Sequence, residues 1–248
     1  MKLNFQLRKG SCKQQMAKVE LVSFDAADTL IKLARSVGEY YAAIASKYGV
    51  ICEASLIDQS FKKVFAGSPP LGQDNIKGIT WWRNVIEKTF AELGFGKESF
   101  TDFEDFISEL YEVLVEDSAW VAFADAETLL RQLKEQNMRM IVFSNFDERL
   151  NKVLHDLKID HYFEKVICST QIGYAKPDSK AFAKVAEIVQ LEPQQIMHVG
   201  DGFENDYLGA LRANMQALFL NRAGLIKHQM ANPKCEISSL LNVTQFIP

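Results

Sequence analysis

Strand-like and helix-like segments alternate through the second half of this chain, and that alternation restricts the fold more than any other feature. Short apolar runs at Met138–Phe143, Val166–Cys168, Ile196–Val199 and Ala217–Leu220 interleave with helical patterns over Ala126–Gln136, Asp147–Leu157, Pro177–Val189 and Glu204–Ala213. Strands separated by helices pair in parallel, so the expected fold is α/β, a doubly wound parallel sheet with helices on both faces. Asp147 suits the cap of its helix and Pro177 the first turn of its own. An earlier run, Val19–Phe24, crowds Val, Leu, Val and Phe into six residues. That is the pattern of a strand buried on both faces, and it belongs to the same sheet.

Between that first strand and the rest lies a block without a strand pattern. Arg35–Tyr48, residues 53–66, Thr80–Leu93 and Ser99–Asp117 read as helices, and the loop Gly67–Asn75 is dense in turn formers. The expected organisation is an α/β core from residues 1–32 and 121–248, interrupted by a helical bundle at 33–120. A chain of 248 residues can carry a core and a second lobe.

Charge and composition exclude several function classes. Net charge is −4 with no basic block, which argues against a nucleic-acid partner. No apolar run approaches the ~20 residues of a membrane span, so no membrane partner is expected. Cys12, Cys52, Cys168 and Cys235 are scattered, which suits free thiols in a reducing, intracellular compartment, cytoplasmic or nuclear. Lys2, Arg8, Lys9, Lys13 and Lys18 precede the first acid, Glu20, and such a bias also fits a mitochondrial transit segment or a short basic tail. The four histidines are dispersed, which disfavours a zinc site.

The polar residues that follow the apolar runs carry the chemistry. Asp25 follows the first, Ser144-Asn145 the second, Lys176-Pro177 comes after the third, and Gly200-Asp201 with Asp206 follows the fourth. The carboxyl ends of parallel strands share one edge of a sheet, where ligands bind. Singly, each residue has an ordinary explanation as a cap, a turn or a solvated lysine. Together they bring three carboxylates, a hydroxyl and a lysine to one place. Clustered carboxylates repel unless a cation joins them, and oxygen-only ligands suit Mg²⁺.

In this order the motifs resemble those of the haloacid dehalogenase-like hydrolases. The first is Asp25-Ala26-Ala27-Asp28-Thr29, the second Ile141-Val142-Phe143-Ser144-Asn145, the third Lys176-Pro177-Asp178, and the fourth Gly200-Asp201-Gly202-Phe203-Glu204-Asn205-Asp206. Asp-x-x-Asp-Thr, Ser-Asn-Phe-Asp and the pair Trp81-Trp82 are similar to the haloacid dehalogenase-like hydrolase domain-containing protein 3 group, also called rhythmically expressed gene 2-like. The resemblance implies a Rossmann-like core with the helical block as a cap. It implies Mg²⁺-dependent phosphoryl transfer from a small phosphorylated metabolite through an aspartyl-phosphate on Asp25. It assigns Asp25, Asp201, Asp206 and the carbonyl of Ala27 to the metal. Ser144, Asn145 and Lys176 are assigned to the substrate's phosphoryl group, and Asp25, Ser144 and Lys176 to catalysis.

Ala27 departs from the family pattern. Superfamily phosphatases hold a second Asp there, which protonates the leaving oxygen and later activates water. Loss of a general acid–base costs about 10²–10⁴ in rate. Asp28 is adjacent, but a one-residue step along an extended backbone reverses the side chain. The alternative function is therefore a weak or inactive member that binds a phosphorylated ligand or a protein partner. Dehalogenases also lack that Asp, but retention of Asp201 and Asp206 argues against them. Phosphonate hydrolases of the family use a cap lysine, for which Lys62 and Lys63 are the available residues. Adjacent positions of a helix cannot face one way, so one of Trp81 and Trp82 belongs to the cap core and the other to the cleft or the loop. His198, inside a strand, reads as a satisfied core histidine.

Overall fold

A computed structural model describes residues 17–73, 76–116, 118–222, 224, 230 and 232–247. The basic stretch expected at the N-terminus lies, before residue 17, outside the described residues. In chain order, β1 (Leu21–Phe24) and β2 (Ile31–Leu33) precede four helices, α1 (Val37–Lys47), α2 (Ala54–Gly67), α3 (Gly78–Glu92) and α4 (Phe103–Val113). Then come β3 (Trp120–Ala122), α5 (Ala124–Glu135), β4 (Arg139–Ser144), α6 (Arg149–Asp156), β5 (Lys165–Cys168), α7 (Ser169–Ile172) and α8 (Ser179–Val189). The chain ends through β6 (Ile196–Gly200), α9 (Gly209–Arg212), β7 (Gln216–Leu220), β8 (Glu236–Ile237) and a 3₁₀ segment, Leu240–Phe246.

The expected sheet is present, parallel throughout, in the order β5-β4-β1-β6-β7-β8. Successive side chains of a strand point to opposite faces. Val22, Phe24, Met140, Val142, Met197 and Val199 enter one core with α5, α6 and the 3₁₀ segment. Leu21, Ile141, Phe143, Ile196 and Phe219 enter the other with α8 and α9. Both faces are covered, which is why the strands read as continuous apolar runs.

α1 to α4 form the helical insertion, with an aromatic core of their own around Tyr41, Phe90, Phe100 and Phe106. Phe100 and Phe106 stack at 4.5 Å between ring centroids. The insertion leaves and rejoins the sheet through an antiparallel ribbon, Ile31 opposite Ala122 and Leu33 opposite Trp120. The sequence pattern shows no strand there, because three residues are too few to establish a period.

Other segments also differ from expectation, beyond shifts of one or two residues at helix ends. α4 is shorter than Ser99–Asp117, because the Asp102 carboxylate accepts from the Glu104 and Asp105 amides and starts the helix at Phe103. Asp178 caps α8, which begins at Ser179: its carboxylate accepts from the Lys180 amide, and Pro177 stands outside the helix. The helix expected over Glu204–Ala213 is a π turn, Phe203–Leu208, followed by the single α turn of α9. β8 and the 3₁₀ segment carry no clear periodicity and were not expected.

Two seams fasten the insertion to the sheet. The N-cap of α6 is Glu148 rather than the expected Asp147; Asp147, fully buried, instead accepts from Nε and Nη2 of Arg149 at 2.8 Å each and from Trp82 Nε1 at 3.1 Å. The Arg149 guanidinium lies 3.5 Å from the Tyr111 ring centroid. At the second seam, Ser169 Oγ donates to the Leu71 carbonyl at 2.5 Å. Trp81 donates instead to the Pro69 carbonyl at 2.8 Å. The two rings touch edge-to-face at 4.9 Å between centroids, but their hydrogen bonds divide, one to the loop and one to the seam.

Candidate active site

β1 lies between β4 and β6, so the residues that end these three strands are neighbours where the chain order of the sheet reverses. Asp25 follows β1 and its amide donates to the Val199 carbonyl of β6 at 2.9 Å. Ser144 ends β4, and Gly200 ends β6 with Asp201 immediately after it. Asp25, Ser144, Lys176 and Asp206 are buried, and Asn145, Ala27 and Asp201 are half-buried.

Lys176 is the hub. Its Nζ donates to Asp25 Oδ1 at 2.7 Å, to Asp206 Oδ1 at 2.5 Å and to the Phe143 carbonyl at 3.1 Å. Asp206 is tied further by His198 Nε2 at 3.1 Å and by the Gly202 amide at 2.8 Å. Its carboxyl folds back over Gly200, where a Cβ would lie 2.4 Å from Asp206 Cγ, so that position admits no side chain. The Asp201 amide donates to Thr29 Oγ1 at 3.1 Å, whose hydroxyl donates to Asp201 Oδ1 at 3.2 Å. Carboxylate oxygens of Asp25, Asp201 and Asp206 lie within 4.8 Å of one another.

Burial governs the charges. It pushes Asp25 above the usual carboxylate range although Lys176 works against it. Burial, with Asp25, Asp206 and Asp28 nearby, pushes Asp201 up to about 8. Burial opposes ionisation of Asp206 too, but Lys176 and His198 outweigh it and hold that carboxyl below its ordinary value. Burial likewise opposes the Lys176 ammonium, and Asp206 and Asp25 outweigh it. Burial, helped by the Lys176 charge, lowers the His198 pKa although Asp206 and Asp25 work against it. Three carboxylates lie together and only two of them, Asp25 and Asp206, pair with the Lys176 ammonium, and an all-oxygen set of this kind fits a hard divalent cation. No hydrogen bond among the described residues ends on the Ala27 carbonyl, which suits its expected part in such a site.

Asn145 takes a different place from the one expected. Its amide donates to the Lys176 carbonyl and accepts from the Lys176 amide, both at 2.8 Å. It holds the lysine rather than facing the cleft. Thr29, Ser23 and His198 belong to the site, and sequence reasoning did not assign them. Thr29 had a signal in its motif; His198 and Ser23, paired at 3.0 Å, had none. Lys62 is exposed and Lys63 is exposed and paired with Glu92, so neither has the desolvated surroundings a Schiff-base lysine needs. Asp28 is exposed, with φ of 58°.

A family model described as haloacid dehalogenase-like hydrolase matches residues 19–214. The chain belongs to the haloacid dehalogenase-like hydrolases. It is 31% identical over 211 residues to the mouse haloacid dehalogenase-like hydrolase domain-containing protein 3, covering 82% of each chain. It is 30% identical to the Drosophila melanogaster rhythmically expressed gene 2 protein, over 79% of this chain and 81% of that one. Among solved structures, a putative hydrolase of Bacillus subtilis bound to magnesium superposes with a TM-score of 0.71 at 16% identity, covering 93% of this chain and 99% of that one. A 2-haloacid dehalogenase of Pseudomonas syringae superposes with a TM-score of 0.66 at 21% identity, over 92% and 97%. The expected resemblance and the expected fold are thus both found.

Proposed function

We propose that this protein transfers a phosphoryl group from a small phosphorylated metabolite to Asp25, with Mg²⁺ held by Asp25, Asp201, Asp206 and the Ala27 carbonyl. The observation that carries this reading is the meeting of three carboxylates within 4.8 Å of one another at the carboxyl edge of the sheet, two of them, Asp25 and Asp206, paired with the buried Lys176. The magnesium-bound neighbour is consistent with it. A bound Mg²⁺ supplies positive charge to the transferring phosphoryl group.

The chain's own residues do the rest. Lys176 holds one oxygen of Asp25 and so orients the other for attack on phosphorus. Its ammonium offsets charge on the phosphoryl oxygens in a buried setting, where such stabilisation is strongest. Ser144 is available to hydrogen-bond those oxygens. Asn145 fixes the lysine's backbone, and Asp206 with His198 fixes its head. The helical insertion acts as a cap that excludes water. Net negative charge fits neither a nucleic-acid nor a membrane partner.

Ala27 favours a second reading, a member that binds phosphorylated ligands without turnover. Hydrolysis of p-nitrophenyl phosphate by wild type and Asp25→Asn, with Mg²⁺ and with EDTA, separates the two. Turnover that needs both Mg²⁺ and Asp25 supports the enzyme. Thermal stabilisation by orthophosphate without turnover supports the binder.

A further inference from the structure

We propose, resting on the phosphoryl-transfer reading, that the substrates are phosphoryl donors whose leaving group departs as a stable anion, acyl phosphates above all, and that the resulting phosphoenzyme discharges slowly. The argument is a census of protons around Asp25. Lys176 Nζ carries three, and all three are spent on Asp25, Asp206 and the Phe143 carbonyl. A carboxylate accepts only, so His198 Nε2–H is committed to Asp206, and Nδ1 accepts from Ser23. The Thr29 hydroxyl proton goes to Asp201. Asp201 and Asp206 are acceptors when they hold a cation. The Ser144 hydroxyl is too weak an acid to protonate a leaving group. Ala27, half-buried on the loop after Asp25, presents a methyl group. Asp28 is exposed, and no side-chain hydrogen bond among the described residues holds it toward Asp25.

Without a positioned acid, the reaction selects on the leaving group. An oxygen of Asp25 forms a bond to phosphorus, the bond from phosphorus to the leaving oxygen breaks, and its electron pair leaves on that oxygen with no proton moved. A carboxylate or phenolate carries the pair stably. An alkoxide is a strong base and leaves only when protonated. In the second step a water oxygen attacks phosphorus, the bond to Asp25 breaks with its electron pair returning to the carboxylate, and the water proton passes to a phosphate oxygen. Among the described residues, every basic group hydrogen-bonded around Asp25 is already engaged, so none draws that proton off earlier and the phosphoenzyme accumulates.

The test measures turnover, and phosphoenzyme by intact-mass spectrometry after acid quench, in the presence of Mg²⁺. The donors are acetyl phosphate, p-nitrophenyl phosphate, phenyl phosphate and glycerol 3-phosphate. Wild type is expected to form phosphoenzyme from acetyl and p-nitrophenyl phosphate, and to act on glycerol 3-phosphate about 10²–10⁴-fold more slowly. Ala27→Asp is expected to narrow that gap and to lower the phosphoenzyme level. Wild-type rates within about 10-fold across the series would overturn the inference and leave the Asp25 reading intact. Loss of glycerol 3-phosphate activity alone in Asp28→Asn would overturn it too, by identifying the acid. No phosphoenzyme and no turnover with any donor would sink the phosphoryl-transfer reading itself, and the inference with it.

Discussion

His198 shows how one side chain joins the interior to the site. Burial and the strand pattern mark it as a core histidine, and it is one, 1% exposed with both ring nitrogens satisfied. What the pattern does not reveal is that Asp206 is one of the partners. The tautomer follows from the neighbours: Asp206 can only accept, so the proton sits on Nε2 and Nδ1 accepts from Ser23. Replacement by Phe leaves the Ser23 hydroxyl without its partner and takes one of two donors from Asp206 Oδ1, which keeps Lys176, at about 1–3 kcal/mol. Ser23→Ala alone costs about 1 kcal/mol. Because the two share one network, the double variant loses less than the sum by about 0.5 kcal/mol or more. Urea unfolding of the four proteins measures this, and strict additivity would refute the coupling.

At the scale of elements, the seam between α3 and the loop before α6 sets where the insertion sits. The N-terminus of α3 can rest on Asp147 because Gly78 is there; a Cβ would stand 2.8 Å from Asp147 Oδ2. Arg149 and Asp147 are a buried pair, 11% and 0% exposed at the side chain. Removing one member of such a pair strands the other. Arg149→Met is therefore expected to cost about 3–5 kcal/mol, and Arg149→Met with Asp147→Asn distinctly less. Trp82→Phe deletes a single donor and costs about 1–3 kcal/mol. Chemical denaturation ranks the three variants. Equal losses in the single and double Arg149 variants would mean that Asp147 is not stranded.

Two properties belong to the whole molecule. Three mutually close carboxylates against one ammonium weaken the cation-free fold, so Mg²⁺ should raise Tm in a concentration-dependent way, by an amount equivalent to about 2.7 kcal/mol at 100 times Kd. Asp201→Asn should abolish most of that shift, and a shift unchanged by the substitution would move the cation elsewhere. The second property concerns the C-terminal segment, which is pinned through Asp125. Burial raises the Asp125 pKa, but Arg222, Ser239 Oγ and the Leu240 amide, at 2.9, 2.7 and 2.9 Å, outweigh it and hold it below its ordinary value. A depressed folded pKa gives stability that is present above the unfolded value of about 3.9 and lost as pH falls through the folded one. Amides of Leu240–Phe246 should therefore lose hydrogen-exchange protection in acid before the sheet does, and Asp125→Asn should remove that pH dependence.

Much of this was legible from the chain alone. Strand and helix periods are local properties, so the α/β class, the parallel sheet and the helical insertion could be read from short windows. The order of Asp25, Ser144, Lys176, Asp201 and Asp206 after apolar runs placed them on one sheet edge by topology alone. The atoms that meet there were not legible. Lys176 reaches Asp25 across 151 residues, and Thr29 reaches Asp201 across 172. Asn145 spends its amide on Lys176, 31 residues on. The ribbon of β2 and β3 exists only because its two short strands meet. Local pattern determines what each segment is. Strand order and register determine which side chains face each other, and those arise only when the whole sheet assembles.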